Sequence, residues 1–453
     1  MNNNLNHHHI ALEMDKVLLR LSSFASSELG REECKNLSYL KQREQIKYEL
    51  KLVDLARKII DNTQQTLPLN EIADVDKIFK QNRLTVDEIL ELAELLKAAR
   101  LCKNFISKNE GCDELIEISK NLYTDKAFED EIFSVFDSEL NVKDDASNEL
   151  KSLRTAYKAR KENLKDEINK LLSNHSFVEN LQDIVVSTRE QRPVFQVKAS
   201  CKNKVSGIVH DVSSTNLTYF IEPASLVPLS NKLRQIEIEI QAEIDRILAY
   251  LSKKFKTIYS ELKQNQDILV RLDVIFARAK YSIHLKGVAA EISENKILDI
   301  QKMRHPLLVE LKEDVTANDF QLGIDYNCLL ITGSNTGGKT VSLKAIGLSI
   351  LMSYLGIPII ASSAKIPFYR NIYVDIDDNQ SIQDSLSTFS AHITNINQIL
   401  KQSDANSLIL IDELISGTDP KEAQAISLAI LDQIKKIGSI FIVTTHFDDI
   451  KNY

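Results

Sequence analysis

Residues 329–341, Leu-Leu-Ile-Thr-Gly-Ser-Asn-Thr-Gly-Gly-Lys-Thr-Val, constrain the fold more than any other stretch of the chain. Leu329, Leu330 and Ile331 read as a buried strand. Gly333, four intervening residues, Gly338, Lys339 and Thr340 follow at the spacing of a phosphate-binding loop. Beyond them Leu343, Ile346, Leu348, Ile350 and Leu351 predict an amphipathic helix. Gly337 and Gly338 carry no Cβ, so consecutive backbone N–H groups can turn inward around an anion, at the positive end of the helix dipole. The cradle is expected to take in Ser334, Asn335, Thr336 and Val341 as well. Lys339 is placed to reach the β- and γ-phosphates and the Thr340 hydroxyl to ligate Mg²⁺, which makes ATP and Mg²⁺ the expected cofactors.

Backbone breakers divide the chain around this stretch. Gly30, Gly111, Gly207 and Gly287 are the only glycines in the first 290 residues, and the other eight lie between Gly323 and Gly438. No proline occurs between Pro68 and Pro193, or between Pro228 and Pro306. Long stretches without either breaker imply helices. The chain therefore reads as multidomain: a mainly α-helical core and lever with coiled-coil arms and a small β clamp, followed by an α/β P-loop domain.

The expected order begins with a frayed start over 1–9 and a helical core over 10–148, in which Thr85-Val86-Asp87-Glu88 reads as a capping box. Its helix carries Ile89, Leu92, Leu95, Leu96 and Ala99 on one face. Coiled-coil arms occupy 149–262. Leu150, Tyr157, Leu164 and Leu171 recur every seven residues in one, and the other runs from Leu229 through Ile240, Ile247 and Phe255 to Leu262. The clamp tip, 183–226, holds short β-branched and aromatic runs. A helical return over 263–300 leads to the α/β domain, 301–453.

Charge adds one clue. The chain carries a net charge of −8, so it is not a globally basic binder of nucleic acid. The clamp tip departs from this: Arg189, Arg192, Lys198, Lys202 and Lys204 stand against Glu190 alone between 189 and 204. These five are the candidate contacts to a phosphate backbone. His210 reads as a strand-end hydrogen-bonding residue, because no other metal-ligating residues accompany it. Five scattered cysteines without a CxxC pair suggest reduced thiols in the cytoplasm. No run is long and apolar enough to suggest a membrane partner.

Within the α/β domain, Ser407-Leu408-Ile409-Leu410-Ile411-Asp412-Glu413 reads as a central strand of a parallel sheet whose end faces the ligand crevice. Asp412 is expected to hold Mg²⁺ through water, and Glu413 to orient and deprotonate the attacking water. Ile440 to Thr445 form a further strand ending in His446, placed to sense the γ-phosphate. Asp412 follows Lys339 by 73 residues, which excludes ATPases that insert hundreds of coiled-coil residues between these two motifs.

Taken together, Arg304-His305-Pro306, Gly333 to Thr340, Asp384-Ser385-Leu386-Ser387-Thr388-Phe389-Ser390, Asp412-Glu413-Leu414, Gly417 to Pro420 and Thr444-Thr445-His446 resemble the MutS family over nearly the whole chain. The clamp stretches Gly207 to Asp211 and Ile221-Glu222-Pro223 are similar to its MutS-two branch, the paralogue without a mismatch-reading domain. The resemblance implies that the α/β P-loop domain is of ABC type and that Ser387 contacts the γ-phosphate of the opposite subunit in a homodimer. It also implies that Asn335 contacts the terminal phosphate and that Gln380 serves as a Q-loop residue. Ser334, Ile415 and Val315 depart from the family's usual proline, glycine and aromatic. The implied function is an ATP-hydrolysing clamp acting on branched or double-stranded DNA, where it suppresses recombination, or on stalled, collided ribosomes and their rRNA, which it splits. A structural fragment with an inactive ATPase and a mismatch-repair homologue are the alternatives. The family's Smr endonuclease domain has no His-Gly-x-Arg counterpart here, so the chain reads as truncated before it, and nuclease chemistry is not expected of these residues.

Overall fold

The computed structural model describes residues 9–80, 83–312, 314–333, 337–376, 385–415 and 419–446, with side chains described at all of these except 385–391 and 420. Of the expected frayed start, only His9 falls within them. The chain divides into two compact units. One comprises Met1–Asp74, Ala98–Tyr123 and Gln264–Tyr453, and the other Val75–Lys97 and Thr124–Lys263.

Helices α1 (Met14–Ser22), α2 (Glu28–Lys35) and α3 (Arg43–Thr63) come first. Helix α4 (Val86–Ser107) starts at the expected capping box. The Thr85 N–H donates to Glu88 Oε2 at 2.8 Å, and the Glu88 N–H donates to Thr85 Oγ1 at 3.3 Å. Ile89, Leu92, Leu95, Leu96 and Ala99 are all buried, as their spacing requires. Helices α5 (Asp113–Lys120) and α6 (Lys126–Val135) follow.

The arms are α7 (Asn148–Ser173) and α8 (Val227–Thr257), about 39 and 46 Å long at 1.5 Å per residue. Ser147 caps α7 by accepting from the Leu150 N–H. Ser147 also donates to Glu243, and Tyr157 to Glu237, so α7 ascends as α8 descends and the pair is antiparallel. The second seam is interrupted where an unbroken arm to Leu262 was expected. Helix α8 ends at Ile258, with φ −113° and ψ 23°. Thr257, Ile258 and Tyr259 are β-branched or aromatic and weak helix formers. Periodicity does not register the break, because Leu262 is buried on its far side.

Between the arms, where the clamp tip was expected over 183–226, lie strands β1 (Leu181–Arg189), β2 (Arg192–Lys198), β3 (Gly207–Val212) and β4 (Thr218–Pro223). They form one antiparallel sheet in the order β1-β2-β4-β3. Phe195, Val197, Ile221 and Leu226 pack with Leu164 of α7. A Cβ at Gly207 would stand 2.1 Å from the Glu222 carbonyl oxygen, so only glycine lets β3 lie this close to β4.

The helical return is shorter than expected. Helix α9 (Tyr259–Leu285) ends at Lys286, and 291–303 enters β5 (Glu291–Ser293) and β6 (Leu298–Met303). With β7 (Asn318–Leu322) and β9 (Ser363–Pro367) these make a mixed sheet in the order β5-β9-β6-β7. The short helix α10 (Pro306–Leu311) separates β6 from β7.

The second sheet of this unit is fully parallel: β10 (Asn371–Asp375), β11 (Ser407–Ile411), β12 (Ile440–Thr445) and β8 (Cys328–Thr332), in that order. Leu408, Leu410, Ile440 and Ile442 face the layer of α11 (Lys339–Tyr354). Ile409, Ile411, Phe441 and Val443 face α12 (Ser385–Gln402) and α13 (Pro420–Ile437). Helices on both faces explain why β11 and β12 are apolar throughout. Helix α11 differs from the expected amphipathic helix, since every residue from Leu343 to Tyr354 except Lys344 is buried. The reason is that α1 and α3 pack against it in addition to the sheet, and a Cβ at Gly347 would meet both Leu12 and Leu410 within 2.9 Å.

His305, at the head of α10, is buried, with Nδ1 unpartnered among the described residues. Burial pushes its imidazole down to about 4, which Glu13 opposes and Lys344 reinforces. Between about pH 6.5 and pH 4 the unfolded chain holds a proton there that the folded chain lacks, so stability falls as pH is lowered through this window. The expected loss is up to about 3 kcal/mol. Equilibrium denaturation of wild type and His305→Gln across that range should show a flatter profile for the variant.

Candidate nucleotide site and clamp tip

The parallel sheet brings the carboxyl ends of β8, β10, β11 and β12 to one edge. Thr332 lies beside Thr445, and Ile411 beside both Val443 and Asp375. Gly333 (φ +146°) leaves β8, and Gly338 (φ +76°) caps α11. A Cβ at either glycine would meet no atom, so the requirement is conformational.

Lys339 is buried, and its Nζ lies 2.5 Å from the Gly333 carbonyl oxygen and 3.0 Å from His446 Nδ1. His446 Nε2 lies 2.7 Å from Glu413 Oε1. An ammonium only donates and a carboxylate only accepts, so Nδ1 accepts from Lys339 and the Nε2–H donates to Glu413. Three residues far apart in sequence thus form one chain, and it selects the neutral tautomer of His446.

Beside it, the Thr340 hydroxyl donates to Asp412 Oδ2 at 2.7 Å, and the Thr444 hydroxyl donates to Asp412 Oδ1 at 2.5 Å. Thr444 Oγ1 also accepts from the Glu413 N–H at 2.8 Å. Glu413 sits at φ +51°, a left-handed conformation that costs a non-glycine residue energy. Its neighbours hold it there: the Asp412 N–H bonds to the Asp375 carbonyl and the Leu414 N–H to the Thr444 carbonyl. Thr340 and Asp412 offer hard oxygen donors in contact with one another, which fits Mg²⁺.

Gly333, Gly337, Gly338, Lys339, Thr340, Asp412, Glu413 and His446 all lie at this edge. Val341 is on the first turn of α11, 41% exposed. Ser334, Asn335, Thr336 and Gln380 lie outside the described residues, and Ser387 is placed only as part of α12. Sequence reading missed the role of Thr444. Its signal was present, a hydroxyl at the end of an otherwise apolar strand.

The five basic residues of the clamp tip do not act alike. Arg192 donates from Nη1 to Glu222 Oε2 at 3.0 Å and from Nη2 to Asn231. Glu222 is fully buried and also meets His210 Nε2 at 2.8 Å. Burial alone pushes its carboxyl up, but the hydrogen bonds from its neighbours, His210 and Arg192 among them, outweigh that and hold it below the usual range. Arg192 and His210 are thus committed to a buried ion cluster. Arg189 bonds Asp211 at 3.0 Å and lies over the Phe220 ring, and Lys198 donates to the Glu179 carbonyl. Lys202, 4.5 Å above the Tyr219 ring, and Lys204 are the exposed cations of the set.

Residues 329–453 match the family model for MutS domain V. The chain is 38% identical over 451 residues to the endonuclease MutS2 of Clostridioides difficile, covering 98% of this chain and 57% of that protein. It is 36% identical to the endonucleases MutS2 of Alkaliphilus oremlandii and Halothermothrix orenii, again over 98% of this chain and 57% of each relative. The chain therefore spans little more than half the length of these relatives.

Replacing Thr444 by valine keeps the shape but removes the hydroxyl shared by Asp412 and Glu413. Loss of a buried donor and acceptor is expected to cost about 1–3 kcal/mol in equilibrium unfolding. The stabilisation conferred by Mg²⁺ with ATP should shrink as well, as read by the rise in Tm on adding the nucleotide.

Proposed function

The chain is a MutS2-type member of the MutS family, and from that premise we propose that it is an ATP-hydrolysing clamp on nucleic acid. The observation that carries this reading is the chain Lys339–His446–Glu413 lying beside Asp412 and Thr340 at one sheet edge. In this reading the loop amides and Lys339 hold the phosphates. Thr340 and Asp412 hold Mg²⁺, which when bound neutralises charge on the β- and γ-oxygens. Glu413 takes the proton of the attacking water. His446 occupies Oε1, which leaves Oε2 without a partner among the described residues for that transfer. His446 also links Lys339 to Glu413, so the phosphate-binding cation and the base keep a common geometry.

The working unit in this reading is a homodimer in which Ser387 of one subunit completes the site of the other. The nucleic-acid contact falls to Lys202 and Lys204, with Arg189 and Lys198 in support and Arg192 acting structurally. An exposed cation over an aromatic ring suits a phosphate backbone beside a base. Among the described residues no helix is long and apolar enough to cross a membrane, and the site of action in this reading is cytoplasmic. Branched DNA and stalled ribosomes present the same backbone chemistry, and we propose both as substrates.

Two outcomes test the reading. Glu413→Gln should retain ATP binding and lose turnover by about a hundredfold or more; undiminished hydrolysis would remove Glu413 as the base. Lys202→Glu with Lys204→Glu should lower the slope of log affinity against log salt by about 0.9 for each lost duplex phosphate contact. An unchanged slope would place the contact elsewhere. Offering the same proteins branched DNA and ribosomes in parallel then separates the two substrates.

A further inference from the structure

His392 is buried on α12, one turn before Asn395. Both reach Asp375, the last residue of β10: His392 Nδ1 lies 2.7 Å from Oδ2, and Asn395 Nδ2 donates to Oδ1 at 2.6 Å. The other ring nitrogen, Nε2, lies 3.0 Å from the carbonyl oxygen of Leu414. A carbonyl oxygen only accepts, so Nε2 carries a proton and donates to Leu414, while Nδ1 lies against the Asp375 carboxylate as a close ion-pair contact and not as a hydrogen bond. A neutral ring would turn a lone pair toward one of these oxygens inside the protein, where an unsatisfied or repelling polar group is costly.

This contact joins three parts of the nucleotide site. Leu414 follows Glu413 directly, and its N–H is held by the Thr444 carbonyl while its carbonyl meets His392. Both peptide units flanking the left-handed Glu413 are therefore fastened to Thr444 of β12, and the next peptide unit, through the Leu414 carbonyl, to α12. Asp375 accepts the Asp412 N–H through its backbone while its side chain is gripped by α12. Helix α12 carries Ser387 near its start and is anchored again at its end, where Tyr373 donates to the Gln402 carbonyl at 2.9 Å.

We propose that His392 is a positioning residue of the nucleotide site. As an imidazolium it ties the helix bearing Ser387 to Asp375 and to the Leu414 carbonyl, and so keeps Glu413 in register with that helix. The proposal rests on the hydrolytic reading above. It predicts an effect on turnover with little effect on nucleotide binding, since His392 meets the site through Asp375 and the Leu414 carbonyl.

The test uses the full chain. His392→Ala should lower kcat between about tenfold and a hundredfold, the scale of a misplaced catalytic group, with KM and the affinity for Mg²⁺ with ATP changed less than about threefold. His392→Gln keeps one N–H for the Leu414 carbonyl and should recover part of the loss; it also serves if the alanine variant does not fold. Nitrogen-15 spectra of the histidine-labelled chain should show two protonated ring nitrogens in the resonance that disappears in His392→Gln. A folded variant with unchanged kcat, a rise in KM matching the loss in kcat/KM, or a neutral ring signature would each overturn the tether. A wild-type chain that binds ATP without turnover, like Glu413→Gln, overturns the hydrolytic reading instead, and the ring signature then decides the tether alone.

Discussion

The carboxylate of Asp412 is the contact on which the candidate nucleotide site depends. It stands at the end of a strand buried on both faces, where an isolated charge would be expensive. Two hydroxyls reach it, Thr340 from the start of α11 and Thr444 from the end of β12. One side chain therefore fixes the start of α11 against two neighbouring strands. Thr444 also accepts the Glu413 N–H, so this contact holds the next residue in a conformation it would not adopt alone. Strain at Glu413 and burial at Asp412 are offset by the same few hydrogen bonds.

The layers behind that edge explain its rigidity. Alternate residues of β11 and β12 feed two separate apolar clusters, one with α11 and one with α12 and α13. Helix α11 is enclosed further by residues near Leu12, so the helix that presents Lys339 and Thr340 has almost no solvated side. A helix packed this densely cannot shift without opening a cavity, and that suits a site whose groups must stay within tenths of an ångström.

Features carried by local spacing were legible in the sequence. The strand-to-helix step from β8 to α11, the capping box at Thr85, the short strands between the arms and the two acids after β11 each follow from residues close together. What was missed depends on residues far apart. Leu298-Asp299-Ile300 alternates as a strand should, but three to six residues beside a long helix are too few to stand out from it. Helix α11 looked one-sided because nothing in 339–354 announces that α1 and α3, roughly 300 positions earlier, pack against it too. Asp375 and His392 carried no motif, since their partnership exists only once α12 packs beside β10.

The clamp shows the same limit in electrostatic form. Counting charge along 189–204 finds a basic segment correctly, but a count cannot tell a cation that faces water from one already neutralised. Glu222, in β4, lies thirty residues beyond Arg192, and the sheet order places β4 directly beside β2. Its burial obliges a positive partner to stay with it, because a bare carboxylate there would cost more than the pairing returns. Arg192 is thereby drawn inward, and the charge available to a ligand narrows toward the 3₁₀ turn Ala199–Lys204, where Lys202 and Lys204 project without a buried acid to hold them. Basic sequence and basic surface are different quantities, and in this clamp a buried glutamate makes the difference.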